Sequence, residues 1–190
     1  MLDLARSKRD SVGLTEQQLK LVHCDALKLN FGEQFDWVCI LFNTFLAFQS
    51  VKDQRRVLKV VERHLKPTGR FWLDIFNPNL GILSTPISLG NEPHMFYVPE
   101  LNRTVYSTTD IHRNTSKQKQ QVTFNYMWFD KSGNKKTDVV KFGMTWVYPR
   151  ELPLLLSANG FEIESLYGDH GGGSFRDSSS RMIACCRKLK

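Results

Sequence analysis

Residues 35–48, FDWVCILFNTFLAF, decide the fold of this chain. Their apolar run over 37–42 is unbroken, which is typical of a strand buried on both faces of a parallel sheet. Asn43 and Thr44 are the first polar residues after the run. Ligands of parallel α/β sheets bind outside the carboxyl ends of the strands. The stretch therefore predicts a central strand whose end borders a ligand site, and the alternative is a core strand followed by a helix that Asn43 caps.

Residues 49–76 complete one β-α-β unit. A helix is predicted over 51–65, because Val57, Leu58 and Val61 recur at helical spacing. Pro67-Thr68-Gly69 ends it, and residues 70–76, RFWLDIF, follow as a second buried strand. Crossovers of this kind are right-handed in nearly every known case, so the two strands are expected to be parallel.

The flanking segments predict further elements of both kinds. Ahead of the central strand we expect a helix over 1–8 and a strand over 19–24, LKLVHC. Residues 80–100 have an irregular pattern. After the β-rich middle of the chain, a helix follows Pro149 and strands follow at 161–167 and 181–187, separated by a polar loop with three consecutive glycines.

The middle of the chain has a different character. Between Arg103 and Val147 three β-rich runs follow one another, with a hairpin turn at 131–134 between the last two. We expect an antiparallel three-stranded unit without a helix, inserted into the α/β fold. The prediction is a single domain over 1–190 with a β insertion over 101–148.

Composition limits the function classes. The 190 residues carry a formal charge of +7, but the basic residues are scattered among acidic ones, which favours a solvated surface over a nucleic-acid site. No apolar run approaches the ~20 residues of a membrane span, and no signal peptide is recognisable at the start. The four cysteines form no CxxC pair, so no metal site or disulfide framework is indicated, and a reducing, cytoplasmic location is expected.

Several segments in this order resemble class I S-adenosylmethionine-dependent methyltransferases. MLDLAR resembles the helix after the second strand of that family, and HCDAL resembles its third strand. Residues 35–45 resemble the fourth strand and LKPTGRFWLDIFNP the fifth. The sixth and seventh strands are matched by residues 148–170 and by RMIACCRK. The resemblance implies a Rossmann-like, doubly wound α/β sheet with strand order 3-2-1-4-5-7-6, in which the seventh strand is antiparallel.

A closer likeness is to the members with a three-stranded insertion over the active site, such as glycine and sugar N-methyltransferases. It implies a small-molecule substrate and methyl transfer to nitrogen or oxygen. The sulfonium is already a good leaving group, so the protein mainly needs to align the reactants, and a base is a candidate for further help.

One departure from the family is large. The glycine-rich turn after the first strand and the acidic residue that ends the second strand are both absent from residues 1–190. We therefore expect an N-terminally truncated sheet and a polypeptide that is inactive alone. A second chain that supplies the missing half is one expected partner, and a catalytically inactive subunit that pairs with a complete homologue is the alternative function.

The resemblance assigns cofactor contacts to four residues. Asp25 would accept a hydrogen bond from the adenine amino group, and Ala26 would add a backbone contact. Leu41 and Asn43 would border the methionine part of S-adenosylmethionine. The alternative for Asp25 is an exposed turn aspartate.

Four more residues are candidates for the substrate side. Asn77 follows the fifth strand in a geometry similar to that of Asn43. Tyr106 and Tyr148 could line the substrate site, although aromatic residues in β-rich segments usually serve packing. His170 could act as a base, and its alternative is a solvated loop histidine.

Overall fold

The structure is a computed structural model that describes residues 1–90 and 93–189. The helices are α1 (Leu2–Ser11), α2 (Val51–His64), α3 (Leu80–Leu83) and α4 (Glu151–Ser157). The strands are β1 (Phe35–Ile40), β2 (Leu65–Phe76), β3 (Ile87–Ser88), β4 (His94–Val98), β5 (Arg103–Asn114), β6 (Lys119–Phe129), β7 (Lys135–Thr145), β8 (Phe161–Tyr167) and β9 (Arg181–Lys188).

The first sheet has four strands in the order β1-β2-β9-β8. β1 and β2 are parallel, and β9 is antiparallel to both β2 and β8. This order and the reversed last strand agree with the 4-5-7-6 half of the order that the resemblance implies. The mixed α/β fold is therefore confirmed.

The core lies on one face of this sheet, under α2 and α4. Buried side chains of β2 and β9, such as Phe71, Leu73 and Ala184, pack there against Val57 and Leu58 of α2. The Ser50 hydroxyl caps α2 by accepting a hydrogen bond from the Asp53 N–H at 3.0 Å. These contacts fix the carboxyl ends of β1 and β2 side by side.

The prediction that β1 is buried on both faces is wrong for this structure. Val38 and Ile40 pack against the core, but Cys39 is exposed and the Trp37 side chain is 66% exposed. Within the described residues, β1 pairs with β2 on one side and with no strand on the other. The apolar residues of β1 would all be buried only if further elements packed on its second face and along its unpaired edge. The described residues cover neither.

Residues 19–24 do not form the predicted strand. They form no strand or helix, and most of them are exposed. Strand pattern alone does not produce a strand without a neighbour to accept its backbone hydrogen bonds. The predicted helix at the start is present as α1, although none of its residues is buried.

The second sheet is antiparallel and larger than predicted. Strands β5, β6 and β7 form the expected three-stranded meander, with the turn at 130–134. The predicted irregular segment contributes α3 and two further strands, since β3 and β4 both pair with β5. Five strands therefore replace the predicted three, and 101–148 as the bounds of an insertion stays a prediction.

Among residues 1–90 and 93–189, no helix is long and apolar enough to cross a bilayer.

Candidate functional site

The chain leaves β1 in a strained conformation. Phe42 and Asn43 both have positive φ angles, 53° and 62°. Asparagine tolerates this region, but for a bulky residue such as phenylalanine it is an outlier that costs of order 1–3 kcal/mol. The Phe42 side chain is also 76% exposed, so burial of its ring does not offset that cost. Strain of this kind is concentrated at functional sites.

Asp74 holds this turn in place from β2. Asp74 lies within the apolar run of the strand and is only 2% exposed. The carboxylate accepts a hydrogen bond from the Phe42 N–H at 3.1 Å and one from Arg181 Nε at 2.9 Å. Its backbone carbonyl accepts from the Asn43 N–H at 3.0 Å. Asp74 therefore connects the turn after β1 to the start of β9.

The charge state of Asp74 follows from these contacts. Burial by itself would raise the pKa of the Asp74 carboxyl, but hydrogen bonds from Arg181, the Phe42 N–H and His170 outweigh it and lower the pKa below its usual value. Asp74 is therefore a carboxylate at neutral pH and can only accept hydrogen bonds.

His170 reaches the same carboxylate from the loop after β8. Its Nε2 lies 3.3 Å from Asp74 Oδ2, and its ring centroid lies 6.2 Å from that of Phe42. Because the carboxylate only accepts, the proton of a neutral His170 belongs on Nε2, which leaves the lone pair of Nδ1 free. The His170 side chain is 61% exposed, so this lone pair is accessible. A histidine held in this way has the form of a proton acceptor.

Asn43 does not act as the helix cap that was its alternative. Its side chain makes no capping bond to the 3-10 helix Thr44–Ala47. Instead, its Oδ1 accepts a hydrogen bond from the Phe76 N–H at 2.8 Å, at the end of β2. The side-chain oxygen is thus occupied, and the amide Nδ2 is the part that remains for a ligand.

We expect Asn43→Ala to lower the free energy of unfolding by about 2–4 kcal/mol. The change removes the bond to the Phe76 N–H, at ~1–3 kcal/mol, and replaces asparagine, which tolerates the left-handed conformation, with alanine, which does so at an added cost of ~1 kcal/mol. Asn43→Asp keeps the accepting oxygen and is the matched control, with a smaller loss. Urea denaturation measures both. Equal stability of Asn43→Ala and the wild type would contradict this role.

Ala26 and Leu41 meet in an apolar groove beside β1. The groove has a volume of about 470 Å³, and Leu29, Ile40 and Phe42 also line it. The segment that carries Ala26 is tied to α2 by His64, whose Nε2 accepts from the Phe31 N–H at 2.9 Å. The structure therefore brings two of the four predicted cofactor contacts together.

Asp25 is placed as a turn residue. Its Oδ1 accepts from the Leu27 N–H at 2.9 Å, the side chain is exposed, and it does not line the groove. This matches the alternative named for it.

The predicted substrate residues separate into two groups. Asn77 lies three residues after Asp74 and donates through Nδ2 to the Ser179 carbonyl at 2.9 Å. Asn77 thus lies just after the carboxyl end of β2, and His170 reaches the same end of the sheet through its contact with Asp74. Tyr106 lies on β5, on the face opposite Ile111 and Arg113 by strand alternation. Tyr148 precedes α4, where its N–H donates to Glu151 Oε2 at 2.9 Å.

Sequence reasoning missed Asp74, Arg181 and Phe42. Asp74 carried a usable signal, because a carboxylate inside the apolar run RFWLDIF is informative wherever the run is buried. Arg181 looked like an ordinary strand-flanking cation, and its pairing with Asp74 depends on the register of β9 beside β2. The positive φ of Phe42 has no sequence signal.

Comparisons with known proteins agree on one class. Residues 1–73 match the model of a methyltransferase domain. Over 182 residues the chain is 24% identical to the cypemycin N-terminal methyltransferase of a Streptomyces species, covering 96% of this chain and 68% of that protein.

Solved structures give the same result for the fold. The CcbJ methyltransferase from Streptomyces caelestis superimposes with a TM-score of 0.79 at 19% identity, over 100% of this chain and 71% of that one. An amino pentose methyltransferase from Micromonospora echinaspora, solved with S-adenosylmethionine bound, superimposes with a TM-score of 0.62 at 19% identity, over 93% and 70% of the two chains. The chain therefore has the class I methyltransferase fold, as the resemblance predicted.

Proposed function

We propose that this protein, which has the class I methyltransferase fold, transfers a methyl group from S-adenosylmethionine to an amine nitrogen of a small molecule. The observation that carries the proposal is the cluster of Phe42, Asn43, Asp74 and His170 at the carboxyl ends of β1 and β2. Ligands of open α/β sheets bind at this edge. The names of the relatives support an amine, since they include an N-terminal methyltransferase and an amino pentose methyltransferase.

The groove beside β1 fits part of this cofactor. Its apolar walls, which include Ala26 and Leu41, suit an adenine ring and the methionine side chain. No carboxylate lines the groove, so the described residues there offer no acidic partner for the ribose hydroxyls. The fit therefore covers the apolar parts of S-adenosylmethionine and leaves its polar parts to other groups.

When bound, S-adenosylmethionine supplies a methyl group attached to a positively charged sulfur, and this sulfur is the leaving group, released as a neutral thioether. Ala26 and Leu41 would hold its apolar parts, and the acceptor nitrogen would take the methyl group as the carbon–sulfur bond breaks. His170 Nδ1 accepts the proton that the nitrogen loses, and Asp74 stabilises the resulting imidazolium across 3.3 Å. The strained turn at Phe42 positions the cofactor side of the site, so that proximity supplies most of the acceleration.

We further propose that a polypeptide segment with a glycine-rich turn pairs with β1. Two observations support it. The free edge of β1 presents unpaired backbone groups beside the exposed Trp37. The Trp72 Nε1 on the neighbouring strand is buried and has no hydrogen-bond partner among the described residues. The segment would also supply the partners that the ribose and the methionine carboxylate need.

The comparisons favour an enzyme and give no support to the alternative of a catalytically inactive subunit. A cytoplasmic location is part of the proposal, and the four free cysteines of the structure, among them the adjacent pair Cys185 and Cys186, support it.

His170→Gln is expected to lower the rate of methyl transfer about 100-fold, because a positioned general base contributes on that order. Glutamine keeps a donor for Asp74 but has no basic lone pair. Transfer from labelled S-adenosylmethionine to amine acceptors measures the effect. His94→Gln, at an exposed histidine of β4, is the matched control and should keep the full rate. A wild-type rate in His170→Gln would remove His170 from the chemistry.

A further inference from the structure

A second pocket lies next to the Asp74 cluster, between the two sheets. It has a volume of about 480 Å³ and is lined by the segment after β2, by β5 and β6, and by the loop before β9. Phe76 and Asn77 line it, and they also belong to the chain segment that bonds Asn43 and follows Asp74. The pocket therefore opens beside the proposed point of methyl transfer.

Arg113 is the one cation among the residues that line this pocket. Its Nη1 donates to the Thr85 carbonyl at 2.9 Å, which fixes the guanidinium. Its Nε is buried and has no hydrogen-bond partner among the described residues. No carboxylate forms an ion pair with it within residues 1–90 and 93–189. Nη1 is thus used by Thr85 and Nε is buried, so Nη2 is the guanidinium nitrogen that an anion in the pocket can reach.

The residues around Arg113 indicate which other groups the ligand carries. Gln120 lies directly opposite Arg113 in the β5–β6 ladder and lines the same pocket. Its side-chain amide is a second donor in reach of the same space. Ile82, Leu83 and Ile111 supply an apolar wall. The ligand thus has an anionic end and an apolar part.

The charges favour a carboxylate over a phosphate. One guanidinium matches a single negative charge, and its Nη2, together with the second hydrogen of Nη1, can donate to two carboxylate oxygens. Asp177 is the one carboxylate among the described residues of the lining, which therefore carry one charge of each sign. This balance suits a molecule that carries one carboxylate and one amine, and it disfavours a dianionic phosphate.

We propose that this pocket binds the carboxylate of an apolar amino acid as the methyl acceptor, through Arg113 and Gln120. The inference rests on the proposed function and names the acceptor class for that site. Arg113 here determines specificity; it holds the end of the acceptor remote from the reacting nitrogen.

The test compares matched acceptors and matched variants of the full protein. Leucine and phenylalanine are offered beside leucinamide and phenylalaninamide, which lack the charge. Methyl transfer is followed with labelled S-adenosylmethionine, and binding of the same four probes is followed separately by calorimetry. The variants are Arg113→Gln, Arg113→Lys and the control Arg55→Gln, at an exposed arginine of α2. Thermal melting of each variant identifies any loss of fold.

The wild type should prefer each acid over its amide about 10- to 100-fold, the value of one charge-assisted contact. Arg113→Gln should lose this preference by raising KM for the acids alone, Arg113→Lys should keep part of it, and Arg55→Gln should keep all of it. Equal transfer to acids and amides would overturn the inference and leave the proposed function standing. Carboxylate binding that depends on Arg113, without any methyl transfer, would support the pocket and count against the function. Failure of both acids to bind would overturn the pocket.

Discussion

Asp74→Ala is expected to destabilise the protein by about 3–5 kcal/mol, the usual cost of removing one partner of a buried ion pair. The change leaves the Arg181 guanidinium, whose side chain is 17% exposed, without its anion. It also leaves the Phe42 N–H without an acceptor and releases the strained turn after β1. For a chain of this size the melting temperature should fall by about 6–20 °C. Methyl transfer should be lost with it.

The control for this prediction is Asp36→Ala. Asp36 pairs with Lys66 on the same sheet, at 2.9 Å, but its side chain is 72% exposed. Exposed pairs contribute at most about 1 kcal/mol. Thermal melting and urea denaturation measure the stability of both variants. Equal losses of stability in the two would show that the contacts of Asp74 do not stabilise the site.

The pH dependence of stability gives a second readout of Asp74. The pKa of Asp74 is lowered in the folded protein. Its contribution is therefore fully present above the unfolded pKa of about 3.9 and is lost as the pH falls through the lower folded value. In Asp74→Asn this part of the acid destabilisation should be absent, and an unchanged acid limb would contradict the assignment.

The polypeptide of residues 1–190 alone is expected to bind S-adenosylmethionine two to five orders of magnitude more weakly than a complete site. The groove beside β1 offers apolar contacts, but two or three charge-assisted hydrogen bonds to the ribose and the carboxylate are missing, at ~1.5–3 kcal/mol each. The open edge of β1 and the exposed Trp37 should also cause a low melting temperature or aggregation.

The measurement compares three preparations by calorimetry and size-exclusion chromatography. They are residues 1–190, the same residues with any upstream coding sequence included, and the same residues co-expressed with a complete methyltransferase of this fold. Recovery of binding in the second or third preparation shows where the pairing segment comes from. Tight binding and a monodisperse elution profile for residues 1–190 alone would contradict the proposed pairing of β1.

The sequence predicted the elements that depend on local pattern. β1, α2 and β2 lie close to the predicted positions, because apolar periodicity determines them locally. The predicted turn at Pro67-Thr68-Gly69 is wrong, since β2 begins at Leu65 directly after α2 and these residues lie within the strand. The order β1-β2-β9-β8 came from the resemblance and was confirmed. The sequence signal for residues 19–24 failed, since a strand exists only where another strand accepts its hydrogen bonds.

The site was harder to predict than the fold. Asn43, Asn77 and His170 could be named as candidates because all three follow strands at the same edge of the sheet, and their roles stay predictions. The group that joins them, Asp74 with Arg181, was missed, since it depends on side chains that are 107 residues apart in the chain. Tyr106 stays a prediction for the substrate side, and the alternation of β5 places it on the face opposite Arg113.

Methyl transfer itself is the most direct test of the central claim. The protein, in whichever of the three preparations binds S-adenosylmethionine, is incubated with the cofactor labelled at its methyl carbon and with a pool of small-molecule amines. Mass spectrometry and NMR then identify the atom to which the labelled methyl carbon is bonded in the product. We predict a labelled carbon bonded to an amine nitrogen, at a rate that falls in His170→Gln and not in His94→Gln. Cofactor binding without label in any amine would contradict the proposed N-methyl transfer.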